Sequence, residues 1–156
     1  MRFEIRVKNI DFSGELLYVR DEHSLLYKPH NPNIGVGILC GAYTELGTIC
    51  ETCEVVELSG FNHRSSWIPM RYKIPKSLKG SLIACFDKPP IKGAGVEYDR
   101  SWQTYYNEQE DCLCIGDFHS HTGDDCIEFA NGIIAVLRNN QLIAVWAKIK
   151  EVSTAV

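Results

Sequence analysis

The segment Gly116-Asp117-Phe118-His119-Ser120-His121-Thr122-Gly123-Asp124-Asp125 concentrates metal-ligand chemistry in one short stretch. Two imidazoles stand two residues apart and carboxylates follow within four residues, while His23, His30 and His63 are scattered. Two histidines and one carboxylate leave a fourth tetrahedral position open for water, the arrangement of a catalytic zinc. Such a water has its pKa lowered to about 7 and attacks as hydroxide at neutral pH. If a strand runs through the histidines, His119 and His121 share a face, roughly 6.5–7 Å apart at Cα. Cys112 and Cys114 then lie on the opposite face and do not complete the site. A turn at Thr122-Gly123 brings Asp124 or Asp125 back over the strand end as the carboxylate.

The elements that must position these residues read mainly as strands. Arg2–Val7 alternates charged and apolar residues, the pattern of a strand and not of a secretory signal. Residues 35–42 form a short apolar run covered on both faces. Residues 48–58 are rich in β-branched side chains, with a turn at Thr44–Gly47 before them. Residues 82–86 and 112–119 are further strands. Ile133–Leu137 and Leu142–Ile149 flank Arg138-Asn139-Asn140-Gln141, a hairpin turn because Asn tolerates positive φ. Two helices are expected. One is capped by Asp99 and runs over 100–109; the other covers 124–131, with acids in its first turn. Residues 15–26 fit a helix face and a hairpin about equally. Lys88–Gly95, with Pro89-Pro90, is an exposed loop.

The totals suit one domain over residues 1–156, with 45% apolar and 23% charged residues. The net charge is −4 and no two Lys or Arg residues are adjacent, which speaks against nucleic acid as a partner. No run approaches the roughly 20 apolar residues of a membrane span. A cytoplasmic chain with reduced thiols is the expectation; its seven cysteines are an odd number.

With these residues in view, the chain resembles the JAMM, or MPN, metalloprotease family. That family's strand ends in Gly-x-x-His-Ser-His and is followed by Ser-x-x-Asp at a helix start. Residues 116–121 match the first part, and Thr122-Gly123-Asp124-Asp125 reads as a Thr version of the second. The resemblance implies His119, His121 and Asp125 as zinc ligands, with Thr122 as the catalytic residue that stabilises the oxyanion. Gly37-Ile38-Leu39-Cys40-Gly41 is similar to the family's early Gly-x-Leu-x-Gly strand. The implied fold is α/β, a mixed sheet flanked by a few helices in JAMM/MPN-like (cytidine-deaminase-like) architecture. The implied activity is zinc-dependent cleavage of peptide or isopeptide bonds, with a ubiquitin-like protein or peptide as substrate. The family's catalytic Glu has no match, since the equivalent positions hold Asn33 and Ile34. A carboxylate accepts the proton of a metal-bound water and Asn does not. That departure raises a second reading, a non-catalytic MPN-like module that binds protein partners.

Asp117-x-His119-x-His121-Thr122 also resembles the opening of a PHP phosphoesterase. There the motif begins a much longer barrel, whereas the 35 residues after His121 end in a hairpin, so this reading ranks third. Cys50-x-x-Cys53 has zinc-knuckle spacing, but structural zinc needs four ligands. Tyr98, Trp102, Tyr105 and Tyr106 recur at helical spacing and read as packing against the sheet.

Overall fold

The computed structural model describes residues 1–9 and 12–154, and its regular structure is β. The first eight strands are β1 (Arg2–Val7), β2 (Glu15–Val19), β3 (Ser24–Lys28), β4 (Ile34–Cys40), β5 (Thr44–Ile49), β6 (Glu54–Phe61), β7 (Ile68–Pro69) and β8 (Leu78–Cys85). The rest are β9 (Gly95–Asp99), β10 (Thr104–Asn107), β11 (Cys112–Gly116), β12 (Asp125–Ala130), β13 (Ile133–Arg138), β14 (Gln141–Lys148) and β15 (Lys150–Val152). Single 3-10 turns at Arg20–Glu22 and Arg64–Ser66 are the only helical elements among the described residues.

This overturns the α/β fold with flanking helices. In place of the helix over 100–109, Asp99 Oδ1 accepts from the Ser101 backbone N–H at 3.0 Å and turns the chain. The β-prone run Thr104-Tyr105-Tyr106 then pairs with β11. In place of the helix over 124–131, Ile127 and Phe129 alternate with Cys126 and Glu128, and β12 pairs with β13. Period two won over the acidic first-turn signal. Residues 15–26 resolve as the β2–β3 hairpin. The turn expected at Thr44–Gly47 falls inside β5.

The sheet runs β15-β2-β3-β6-β8-β12-β13-β14-β11-β10-β7, and a branch carries β5, β4 and β9 out from β6. β8 joins the two wings: Leu78 and Lys79 pair with β12, while Gly80 to Cys85 pair with β1. The wings curl so that Leu46, Leu58 and Leu82 from one meet Leu113, Ile115 and Ile133 from the other in a shared core. β11 is buried on both faces. Leu113 and Ile115 enter that core, while Cys112 and Cys114 join Val136 and Trp146 in a second cluster outside it. Burial on both sides explains why β11, β13 and β14 are near-continuous apolar runs. The turn between β13 and β14 is as expected, with φ of 52° at Asn139 and 62° at Asn140. No helix among the described residues is long and apolar enough to cross a membrane.

Candidate functional site

β11 stops at Gly116, short of both histidines. Its φ is +113°, and a Cβ there would lie 2.4 Å from the Ile143 carbonyl oxygen. The chain therefore leaves the sheet before His119, and the shared strand face expected for His119 and His121 does not form. Asp117 manages the exit. Its N–H donates to Ile143 O at 2.9 Å, and its Oδ1 accepts from the His119 N–H at 2.9 Å. The same Oδ1 lies 3.0 Å from His119 Nδ1. The His119 ring stacks on Phe118 at 4.3 Å, and Phe118 in turn packs against Tyr105 and Tyr72.

The second half of the loop is organised by Arg138 at the end of β13. Its Nε and Nη2 each lie 2.9 Å from an Asp124 carboxylate oxygen, a forked pair. Nη2 also donates to His119 O at 3.2 Å, and Nη1 lies 3.7 Å from Asp117 Oδ2. Asp124 Oδ2 accepts from the His121 N–H at 2.8 Å, while the Asp124 N–H returns a bond to His121 O at 3.1 Å. The Arg138 guanidinium holds the Asp124 carboxyl below the usual carboxylate range, against the opposing effect of burial. Burial pushes Asp117 upward, but the His119 N–H and ring, with Arg138, outweigh it and hold Asp117 low as well.

These bonds decide how the expected zinc ligands stand. Asp124 is committed to Arg138, whereas the contact of His119 Nδ1 with Asp117 leaves the Nε2 of that ring free among the described residues. Asp125 is exposed at the start of β12, opposite Leu137. His121 and Thr122 are exposed on the loop. Among the described residues, no group of three or more His, Cys, Asp or Glu side chains is gathered as an ion would need. His119, His121 and Asp125 are therefore not brought together as a zinc donor set. Cys50 and Cys53 flank a turn, and their thiols reach the carbonyls of Pro90 and Cys50 at 3.7 Å each.

A sizeable cavity lies elsewhere, between β9 and the first residues of β14. It is an open groove of about 950 Å³. Pro89, Pro90 and Ile91 of the 86–94 loop line one end, together with Phe86 and the chain's first residue. Trp102 and Asp117 close the other wall beside Leu142 and Ile143. Tyr98 braces the groove by donating to Leu142 O at 2.8 Å, and its ring meets Phe3 and Trp102 edge-on. Asp87, Glu97, Asp99 and Asp117 also line it, against Lys88 as the lining cation side chain. Two features mark this groove. β9 pairs with β4 on one edge and with no other strand among the described residues. Ile91 is 74% exposed, although it is a large apolar residue.

Sequence reasoning missed this groove because its residues come from Lys88–Gly95, read as an exposed loop, and from residues 96–98, which carry no strand reading. The apolar Pro89-Pro90-Ile91 run inside an otherwise polar loop was the available signal. It also missed two histidine contacts. His30 Nδ1 lies 2.7 Å from Oε1 of the buried Glu57, and His23 stacks on His63 at 3.8 Å. Both pairs order turns around the β2–β3 and β6 ends.

No family model matches the chain, and no curated protein does. The geometry therefore carries the functional argument. What it offers is a shaped apolar groove with convergent polar groups beside an open strand edge, the usual form of a binding site.

Proposed function

We propose that the chain is a non-catalytic module that binds a segment of a partner protein in the groove between β9 and the start of β14. One observation carries this reading: the groove of about 950 Å³ runs along a strand that is paired on one side. Exposed edges and apolar patches are normally suppressed because they invite association. Here an open edge at Gly95–Asp99 lies beside one exposed apolar side chain, Ile91. The His119–Asp124 loop braces one wall through Asp117, which both lines the groove and pairs with Arg138.

A fluorescein-labelled pool of random decapeptides, followed by fluorescence polarisation, tests this. Binding that is lost in Trp102→Ala and kept in His121→Ala supports the module. Binding that survives Trp102→Ala but fails in His121→Ala moves the site to the loop and refutes it, as does a pool that never binds.

A further inference from the structure

We infer that the partner segment enters as an added strand on β9 and presents basic side chains to the groove. This rests on the module reading above and specifies its occupant.

The backbone comes first. Gly37 of β4 donates to Ala94 O at 3.2 Å, and the parallel register pairs Gly37 with Gly95 and Leu39 with Glu97. In a parallel ladder, successive residues of one strand turn their amide groups to opposite sides. Up to the register shift after Leu39, Val96 thus addresses β4 and Gly95 and Glu97 address the open edge; past the shift, Asp99 O turns to β4 and accepts from the Gly41 N–H at 2.8 Å. That edge borders the groove, because all five β9 residues line it. Across the groove, the β11 ladder on β14 begins at Ala144, and beyond it Asp117 N–H takes Ile143 O. The open side of the curled sheet is therefore walled by strand backbone on β9, with the start of β14 facing it. An extended segment that lies there gains main-chain hydrogen bonds from β9, the basis of strand-addition recognition.

Charge selects the side chains. Of the four carboxylates lining the groove, Asp87 pairs with the terminal amine of Met1, Glu97 with Arg100 and Asp117 with Arg138. Asp99 accepts from Ser101 and has no cationic partner among the described residues. With Lys88 as the one Lys or Arg in the lining and the other three acids paired, Asp99 is the lining carboxylate that a guest cation can complement. A strand alternates its side chains between faces, so every second residue of the guest points into the groove. A basic residue at one of those positions complements Asp99; an acidic one is repelled by it. The apolar lining residues Pro90, Ile91 and Trp102 receive the stems of long cationic side chains.

The test uses an alternating Val/Lys octapeptide, its Val/Glu counterpart, and two Val/Lys versions N-methylated at the odd or the even residues. N-methylation removes amide donors on one edge of the peptide. Strand addition predicts that one methylated version loses at least about tenfold in affinity while the other binds like the parent. It also predicts that Glu97→Pro, which removes an outward N–H, abolishes binding. Glu97→Ala keeps the N–H and binds Val/Lys like the parent, whereas Asp99→Asn weakens Val/Lys binding by a few-fold. If Glu97→Pro fails to fold, the pair of methylated peptides still decides the matter. Equal binding by both methylated versions overturns strand addition and leaves the groove reading standing. Tighter binding of Val/Glu than Val/Lys overturns the basic preference. If no octapeptide binds in a Trp102-dependent way, this inference and the module reading fall together.

Discussion

Arg138 and Asp124 meet as a fork on a fork: Nε to Oδ1 and Nη2 to Oδ2 are both 2.9 Å. The pair joins the last residue of β13 to the loop that holds both sequence-motif histidines. Because β13 is locked between β12 and β14, its terminal arginine dictates where the loop can lie. The acid that looked like a metal ligand is instead the anchor of a turn.

Arg138→Ala frees Asp124 and the loop while leaving the core intact. The His119 and His121 amides, bonded to Asp117 and Asp124, are expected to exchange with solvent faster, with Ile115 unchanged. Arg138→Lys behaves like the alanine variant, since a point ammonium cannot reproduce the planar fork. Hydrogen exchange followed by NMR reads this directly. Unchanged rates at His121 in both variants contradict the bracing role.

Acidification acts on the same pair. Both Asp117 and Asp124 titrate below their ordinary value in the folded protein. An unfolded Asp titrates near 3.9. Between those values the unfolded chain binds more protons, so stability rises with pH there. The contribution is complete above about pH 5 and is lost as pH falls through the folded values. Urea unfolding between pH 7 and 2.5 should show the fall starting at about pH 5, and Arg138→Ala should make it shallower. A variant as acid-sensitive as the parent speaks against the assignment.

Gly116→Ala tests the strand exit. The residue has φ +113°, and its added Cβ would be 2.4 Å from backbone. A substitution in a backbone conformation it cannot adopt is expected to destabilise by more than about 1 kcal/mol. Thermal or urea unfolding measures it, and a neutral result would mean that β11 can run on toward His119.

Thiol reactivity follows burial. Burial pushes Cys40 up to about 12 and Cys112 up to about 11, and raises Cys114 further. Thiolate is the reactive form, so these three resist iodoacetamide in the native protein at pH 8. Half-buried Cys50 and Cys53 are alkylated first. Mass spectrometry of tryptic peptides gives the order, and early labelling of Cys114 would contradict the two-faced burial of β11.

Much of the β framework was legible. Arg2–Val7 is a strand as read, and the Asn139-Asn140 hairpin is where its turn chemistry places it. The two helices were not legible as strands, and the reasons differ. Over 100–109, aromatic residues at helical spacing were split by a turn at Asp99–Ser101, so Tyr106 packs inside and Tyr105 outside. Over 124–131, Asp124, an acid suited to a helix start, is instead drawn to Arg138, a contact across 14 positions that no local pattern reveals. The motif histidines carried the same weakness. Their spacing was real, but a single glycine at positive φ ended the strand that would have aligned them. The groove depended on β9 having one neighbour, which is a property of topology and not of any segment.

The most direct test of the groove as the binding site is a single ¹H–¹⁵N correlation experiment on the labelled chain, titrated with zinc chloride and then with the Val/Lys octapeptide. The expected result is no stoichiometric change at His119, His121 or Asp125 with zinc. The peptide should then shift Gly95, Glu97, Asp99 and Ile143. Saturable zinc-induced shifts across residues 119–125, with the β9 amides unmoved by peptide, would contradict this account and return the chemistry to the histidine loop.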